Sequence, residues 1–449
     1  MIPIEVKKYL GKYSLSSWKI EASSLENLTS VVVVPAICEL ENIKKLLVSL
    51  SNNDNRYFSS TLILFVINNS ANSTFDVKED NQKSLKVLRE IMEKVNHSND
   101  KFLERIIASN LRVGLVDASS PGKELPDKDA GVGLARKIGM DLALSVFDYQ
   151  SKNKKILICL DADCTVENNY LTEIINNFNS KNISAAVVNY SHPIIEDNEN
   201  SEAIISYEIF LRFYDLGLIF ANSPFAFPTI GSTMICDYES YIKVEGMNKR
   251  KAAEDFYFLE KLAKNYSIEK IKNTIVYPSS RSSWRVPFGT GQRVNRFLSQ
   301  KQNEYLLYDP KSFSILKEWL EVFTSDKISS EGLLLESSKE IDLQLYEFLI
   351  QQHFHEDWKK ILANSKTLEQ LNRQKRNWFD GFKTLKLIHY LRDTKYPMIN
   401  MFDAIDKLFG MMRNPSTEFA TKLSDERKGL SIPPIEIQME YLTLLRNYF

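Results

Sequence analysis

Between Ser30 and about Ser280, short runs rich in β-branched residues alternate with stretches whose apolar residues recur at helical spacing. That alternation restricts the region to an α/β domain with a mostly parallel sheet. The run VVVV (31–34) reads as a buried strand. In the following ELENIKKLLVSLS, Ile43, Leu46, Leu47 and Leu50 fall at i, i+3, i+4 and i+7, one apolar helix face. TLILFVI (61–67) is a second strand, and the helix after it carries Leu85, Leu88, Ile91, Met92 and Val95. ERIIAS (104–109) reads as a short strand, and Gly114, Pro121, Gly122 and Pro126 mark the next stretch as loop. A helix from about Ala130 buries Leu134, Ile138 and Leu142. KKILICLDADCT (154–165) is the next strand, its helix buries Tyr170, Leu171, Ile174, Ile175 and Phe178, and ISAAVVNY (183–190) is one more strand.

Beyond about Lys301 the pattern changes. SFSILKEWLEVF, EIDLQLYEFLIQQHF, FKTLKLIHYLRD and NMFDAIDKLFGMM have helical spacing and almost no glycine. At 449 residues the chain exceeds the ~250–300 at which a single core stops growing. The expected organisation is an α/β domain over 1–300 followed by a mainly helical domain over 301–449, which could shape an acceptor site or form an oligomer.

A net charge of −1 gives no global field that would recommend nucleic acid or an anionic membrane as partner. The N-terminus lacks the apolar core of a secretory signal, and no uninterrupted apolar run of ~18 residues occurs, so the sequence predicts a cytoplasmic protein without a transmembrane segment. EAIISYEIFLRFYDLGLIF (202–220) reads as a packed helix, because its charges do not form the Lys/Arg-rich face of a membrane-surface helix. Cys38, Cys159, Cys164 and Cys236 contain no C-x-x-C pair and read as free thiols on or beside strands.

Asp161 and Asp163 end an apolar strand one residue apart. Such a pair lies at the carboxyl edge of a parallel sheet, where open α/β folds bind ligands. Within a strand, side chains at i and i+2 share a face, and their hard oxygens suit Mg²⁺ or Mn²⁺ completed by phosphate and water. Two chemistries use this spacing. One is metal-assisted transfer from a nucleotide sugar; the other is a phosphatase of the haloacid dehalogenase type, whose D-x-D-x-T pattern Thr165 completes.

Other residues help to choose. They run in order as Val34-Pro35-Ala36-Ile37-Cys38-Glu39, then Asn68-Asn69, then Gly131-Val132-Gly133-Leu134-Ala135-Arg136-Lys137-Ile138-Gly139, the D-x-D, Gly231-Ser232-Thr233, and Gly246-Met247-Asn248 leading to Glu254-Asp255. In this order and spacing the stretch from about Ser30 to Ser280 resembles the family-two glycosyltransferases, which have the GT-A fold, Rossmann-like with a mostly parallel sheet. It departs from that pattern at Cys38, where Asn is usual, at Lys137, where Asn is frequent, and at Asn68 or Asn69, where an acid often contacts the base.

The resemblance implies an inverting, divalent-metal-dependent transfer of a sugar from a nucleotide donor, a UDP-sugar ahead of a GDP-sugar, to a hydroxyl. The acceptor is a saccharide, a lipid-linked sugar or a small molecule. Pro35, Ala36, Glu39 and Asn68 would line the nucleoside pocket, with Arg136 near the diphosphate or ribose. Asp163, supported by Asp161, would hold Mg²⁺ or Mn²⁺. Asp255, paired with Glu254 at a helix start, would be the general base.

The segment 279–301 holds Arg281, Arg285, Arg293, Arg296 and Lys301 without an acid. It reads either as a loop that brings Arg forks, Arg281 and Arg285 among them, over a donor diphosphate, or as a solvated linker. His353 and His355 cannot share a metal from one helix; His192 is a weaker donor-site candidate. Against the phosphatase stands the ~130 residues of α/β sequence before the D-x-D strand, which normally opens that fold. A non-catalytic nucleotide-sugar-binding protein is the third reading, disfavoured by the retained Asp161, Asp163 and Asp255.

Overall fold

The computed structural model describes residues 1–15, 17–95, 100–194, 200–281, 290–299, 303–325, 330–412 and 416–449. The chain packs as two compact units, the first mainly Met1–Pro193 with Thr229–Ser280, the second mainly Ile194–Pro228 with Gly289–Phe449. A single cut at residue 300 does not separate them, because the helix over 201–220 belongs to the second unit.

The sheet of the first unit contains β1 (Glu21–Ala22), β2 (Ser30–Ala36), β3 (Thr61–Asn68), β4 (Val113–Ala118), β5 (Ile156–Cys159), β6 (Thr165–Val166), β7 (Ala185–Tyr190), β8 (Met234–Asp237) and β9 (Ile268–Tyr277). Their order is β1-β4-β3-β2-β5-β8-β7-β9-β6. The longer ladders, β2–β3, β3–β4, β2–β5 and β7–β9, are parallel; β1–β4, β5–β8, β7–β8 and β6–β9 are short antiparallel pairs. From β2 the chain moves outward to β3 and β4, then returns to place β5 on the other side of β2. This reversal makes the carboxyl ends of β2 and β5 a topological switch point, the kind of place where open α/β sheets bind ligands.

Every residue of β2 and β3 is buried, as expected of parallel strands covered on both faces. Val32, Val34, Ile63 and Phe65 share one core with Ile43, Leu46, Leu47 and Leu50 of α2 (Leu40–Ser51), preceded in the chain by α1 (Ile4–Tyr13), and with Leu85 and Leu88 of α3 (Phe75–Met92). Pro35 lies beyond the last β2–β5 pair, Val33 with Cys159, so its missing N–H costs that ladder nothing.

Two local expectations fail. ERIIAS lies in α4 (Lys101–Ser109), not in a strand. Asp100 caps it by accepting from the Phe102 and Leu103 N–H groups, Asn110 closes it in the left-handed region, and Leu103 and Ile106 make its buried face. The stretch read as loop around Gly114 contains β4. Gly114 eases the packing there, because a Cβ would sit 3.2 Å from both the Glu21 carbonyl of β1 and Leu62 Cδ1 of β3, a tight contact.

The unit is completed by α5 (Val132–Ala143) and α6 (Tyr170–Lys181) and, after α7 (Ser201–Phe220) of the second unit, by α8 (Tyr238–Lys243) and α9 (Glu254–Ala263). Gly139 lets α5 lie on the sheet, since a Cβ there would come within 2.4 Å of Val33 Cγ1.

In the second unit α7 is joined by α10 (Thr290–Leu298), α11 (Pro310–Phe323), α12 (Glu331–Ile341), α13 (Leu343–Gln351), α14 (Phe354–Ala363), α15 (Leu368–Trp378), α16 (Gly381–Thr394), α17 (Met401–Met412), α18 (Ser416–Arg427) and α19 (Ile435–Arg446). The stretch EIDLQLYEFLIQQHF is broken at Asp342, which caps α13 by accepting from the Gln344 N–H at 2.8 Å. Ile205, Ile209, Phe213 and Leu216 of α7 enter a core with Phe313, Trp319, Phe402 and Tyr441. Glu208, fully buried on α7, accepts from Nε of both Arg212 and Arg446 at 2.8 Å. Among the described residues no helix is long and apolar enough to cross a membrane.

Candidate active site

Pro35, Ala36, Glu39, Arg136, Asp161 and Asp163 lie at or beside the carboxyl ends of β2 and β5, whereas Arg281 and Arg285 are not among them. The D-x-D is not on a strand. β5 ends at Cys159, and Asp161 and Asp163 lie in a tight turn closed by the Cys164 N–H donating to the Asp161 carbonyl at 3.1 Å. The shared-face argument for a strand therefore does not apply, and the turn is what keeps both carboxylates at the sheet edge.

Arg136 is committed to two carboxylates. It sits on α5 with its side chain 2% exposed, pairing through Nη2 with Asp161 Oδ1 and through Nη1 with Glu254 Oε1. One guanidinium thus ties the D-x-D turn to the first residue of α9, 118 positions away. Gly231 makes room for it, because a Cβ at that position would fall 2.3 Å from Nη2. Burial acts against the charge of Arg136, but the Asp161 and Glu254 carboxylates outweigh it and raise its pKa.

The acidic pair is tuned upward. Burial, opposed by Arg136 and reinforced by Asp255, pushes Glu254 up to about 7. Burial also raises Asp255, again against the pull of Arg136. Asp255 is partly exposed and accepts the Phe256 N–H at 2.8 Å. Both acids stand in the first turn of α9, where the helix dipole favours negative charge, but the N-cap is Ala253, in the left-handed region at φ 58°. A non-glycine residue there costs about 1–2 kcal/mol. The Asn248 side chain holds the approach to it, donating to the Glu254 carbonyl at 2.9 Å and accepting from the Arg250 N–H at 3.0 Å. Gly133 lets α5 approach this loop, where a Cβ would collide with the Arg250 carbonyl at 2.3 Å.

On the β2 side, Pro35 and Ala36 end the strand and Glu39 is buried at the start of α2, accepting from Asn42 Nδ2. Asn68 lies beside them, but its amide donates to the Ala36 and Val66 carbonyls, both at 3.0 Å, and so knits β3 to β2. Asn81 continues this network by donating to Asn69 Oδ1 at 2.8 Å and accepting the Cys38 N–H at 2.9 Å. Cys38 is itself left-handed, at φ 56°. Asn81 was not anticipated; its signal is a polar residue four positions before Leu85, on the apolar face of α3.

The basic segment divides. Arg281 falls in the second unit, and Arg285 lies outside the described residues. Arg293 and Arg296 belong to α10, not to a loop, and both pair with Glu304, Arg293 Nη1 at 2.6 Å and Arg296 Nε at 2.7 Å. His192 is buried; His353 caps α14, and His355 pairs separately with Glu331.

Asp161 and Asp163 fit a hard divalent cation by donor chemistry. Asp161 is 34% exposed even with one oxygen held by Arg136. Among the described residues no group of three or more His, Cys, Asp or Glu side chains could hold a metal, so the turn offers part of a shell that phosphate oxygens and water would complete.

No protein-family model matches the chain. No curated protein matches it either. Among solved structures it is similar to S. aureus TarS 1-349, at 12% identity over 94% of this chain and 91% of that chain, with a TM-score of 0.35. The same TarS fragment in complex with UDP-GlcNAc gives 13% identity over the same shares and a TM-score of 0.37. Mannosyltransferase PcManGT from Pyrobaculum calidifontis, in complex with GDP-Man and Mn2+, gives 12% identity over 87% of this chain and 93% of that chain, with a TM-score of 0.37. Likenesses this distant transfer neither ligand nor mechanism, and the function has to be read from this chain's own residues.

Proposed function

We propose that the chain is a glycosyltransferase of the GT-A type, which moves a sugar from a nucleotide-sugar donor to an acceptor hydroxyl with inversion and with the help of Mg²⁺ or Mn²⁺. The observation that carries this reading is the meeting, around Arg136, of the D-x-D turn and the acidic start of α9 at the switch point of the sheet.

Asp163, with Asp161, would hold the cation, which when bound would supply positive charge for the departing diphosphate. Pro35, Ala36 and Glu39 stand where a nucleoside would lie along the end of β2. Asp255, the more exposed of the two acids on α9, takes the proton of the acceptor hydroxyl. The hydroxyl oxygen then bonds to the anomeric carbon as the carbon–oxygen bond to the diphosphate breaks, the electron pair leaving with the diphosphate. In-line attack inverts the centre. A carboxylate with a raised pKa is a better base near neutrality than an ordinary aspartate.

Asp161 is held by a buried guanidinium, an arrangement that suits a fixed negative charge rather than the phosphatase nucleophile. The test is a set of nucleotide sugars incubated with the protein and Mn²⁺. Release of a nucleoside diphosphate that Asp163→Asn abolishes supports the transferase; phosphate released from monoesters, with no nucleotide sugar turned over, contradicts it.

A further inference from the structure

Arg136 puts a positive charge on the carboxylate that a cation would need. Its Nη2 holds Asp161 Oδ1, its side chain is 2% exposed against 34% for Asp161, and its other nitrogen is fixed by Glu254. The guanidinium packs closely on Gly231, where a Cβ would fall 2.3 Å from Nη2. Asp161 lies in a short turn at the rim, whereas Arg136 lies on a helix wedged against the sheet. Of the two partners, Asp161 is the one that solvent and a cation can reach.

We infer that Arg136 is an internal competitor for the metal: Asp161 is paired with Arg136 while the metal is absent and must exchange that partner for the cation. The inference rests on the transferase reading only in supposing that a divalent ion binds at the D-x-D turn. After the exchange the guanidinium keeps Glu254, and the turn is drawn toward the ion with Asp163. Affinity for the metal alone is then weak, because binding has to break a partly buried, charge-assisted pair. The donor diphosphate, which adds oxygen ligands, tips the exchange. Arg136 is in this account a positioning residue, with no role in proton transfer.

The exchange is tested by titrating the whole protein with Mn²⁺ alone and reading free Mn²⁺ by electron paramagnetic resonance. Arg136→Gln should bind Mn²⁺ at least tenfold more tightly than the unaltered chain, about 1.4 kcal/mol. Loss of a nearby positive charge would also favour a cation by its field alone, so the same change is made on Asp161→Asn. If Asp161 is the contested ligand, Arg136→Gln gives no tightening in that background. A tightening that persists there, or none in Arg136→Gln itself, overturns the exchange. Should Arg136→Gln fail to fold because Glu254 is left as an unpaired buried charge, the Arg136→Gln/Glu254→Gln pair carries the same comparison. No donor or acceptor enters this measurement, so its failure is distinct from failure of the transferase reading, which turns on nucleoside diphosphate release.

Discussion

Three carboxylates and one guanidinium set the chemistry at the scale of single residues. Asp161, Glu254 and Asp255 are brought near one buried Arg136; burial, opposed by that guanidinium and reinforced by the neighbouring carboxylates, raises both acids of α9. If Asp255 is the base, Asp255→Asn should lower transfer about 10²–10⁴-fold while leaving metal-dependent donor binding intact, measured by single-turnover rates and equilibrium titration. The acidic limb of kcat/KM should lie above the ordinary aspartate pKa of 3.8. The stability sign follows separately. A folded-state pKa raised from 4.5 to about 7 means that the native state holds the Glu254 proton more tightly than the unfolded chain. Its contribution is fully present below about pH 4.5 and is lost as pH rises through about 7. Thermal melts should therefore show the unaltered protein losing stability relative to Glu254→Gln across that window and levelling above it; a difference independent of pH contradicts the shift. Gly231→Ala would drive a Cβ into the guanidinium, costing about 1–3 kcal/mol and lowering activity, read by chemical denaturation and turnover.

Strands, helices and turns decide which of these residues meet. The helix faces of α2 and α6 follow directly from apolar spacing, and Ile43, Leu46, Leu47, Leu50, Tyr170, Leu171, Ile174, Ile175 and Phe178 are all buried as that spacing requires. The segment around Ile106 misled because two adjacent β-branched residues resemble a strand, whereas the Asp100 cap and the Leu103/Ile106 face settle a helix. β4 stayed hidden because Gly114 reads as a loop residue along the chain, whereas its tight packing between β1 and β3 is set by the paired sheet. The D-x-D and the Glu254-Asp255 pair could be picked out along the chain, but the burial of Arg136 could not, since its partners are 25 and 118 positions away. Asn68 shows the same limit: its place beside β2 was legible, its commitment to two carbonyls was not. Asn68→Asp would turn a donor into a charge facing the Ala36 and Val66 carbonyls. It should destabilise the first unit by about 1–3 kcal/mol, measured by denaturant unfolding, rather than restore an acidic contact to a base.

The whole molecule is two packed units threaded through each other in sequence. α7 lies between β7 and β8 in the chain, yet its apolar face is buried by helices that come after residue 300. A chain ended at residue 300 would leave Ile205, Ile209, Phe213 and Leu216 without their partners Phe313, Trp319, Phe402 and Tyr441. Such a truncation should be insoluble or partly unfolded, measured by sedimentation and circular dichroism, even though it retains every residue of the D-x-D turn and of α9. Ending a protein at a change in sequence character is thus unsafe where one helix of the later unit is donated from within the earlier one. The central claim, a metal-assisted nucleotide-sugar transferase, is met most directly by one assay: nucleoside diphosphate release from a panel of UDP- and GDP-sugars, with Mn²⁺ and with chelator, for the unaltered chain and Asp163→Asn. The account predicts release from at least one donor that requires the metal and disappears with Asp163→Asn; turnover unchanged by chelation and by that substitution, or no turnover of any nucleotide sugar beside hydrolysis of phosphomonoesters, would contradict it.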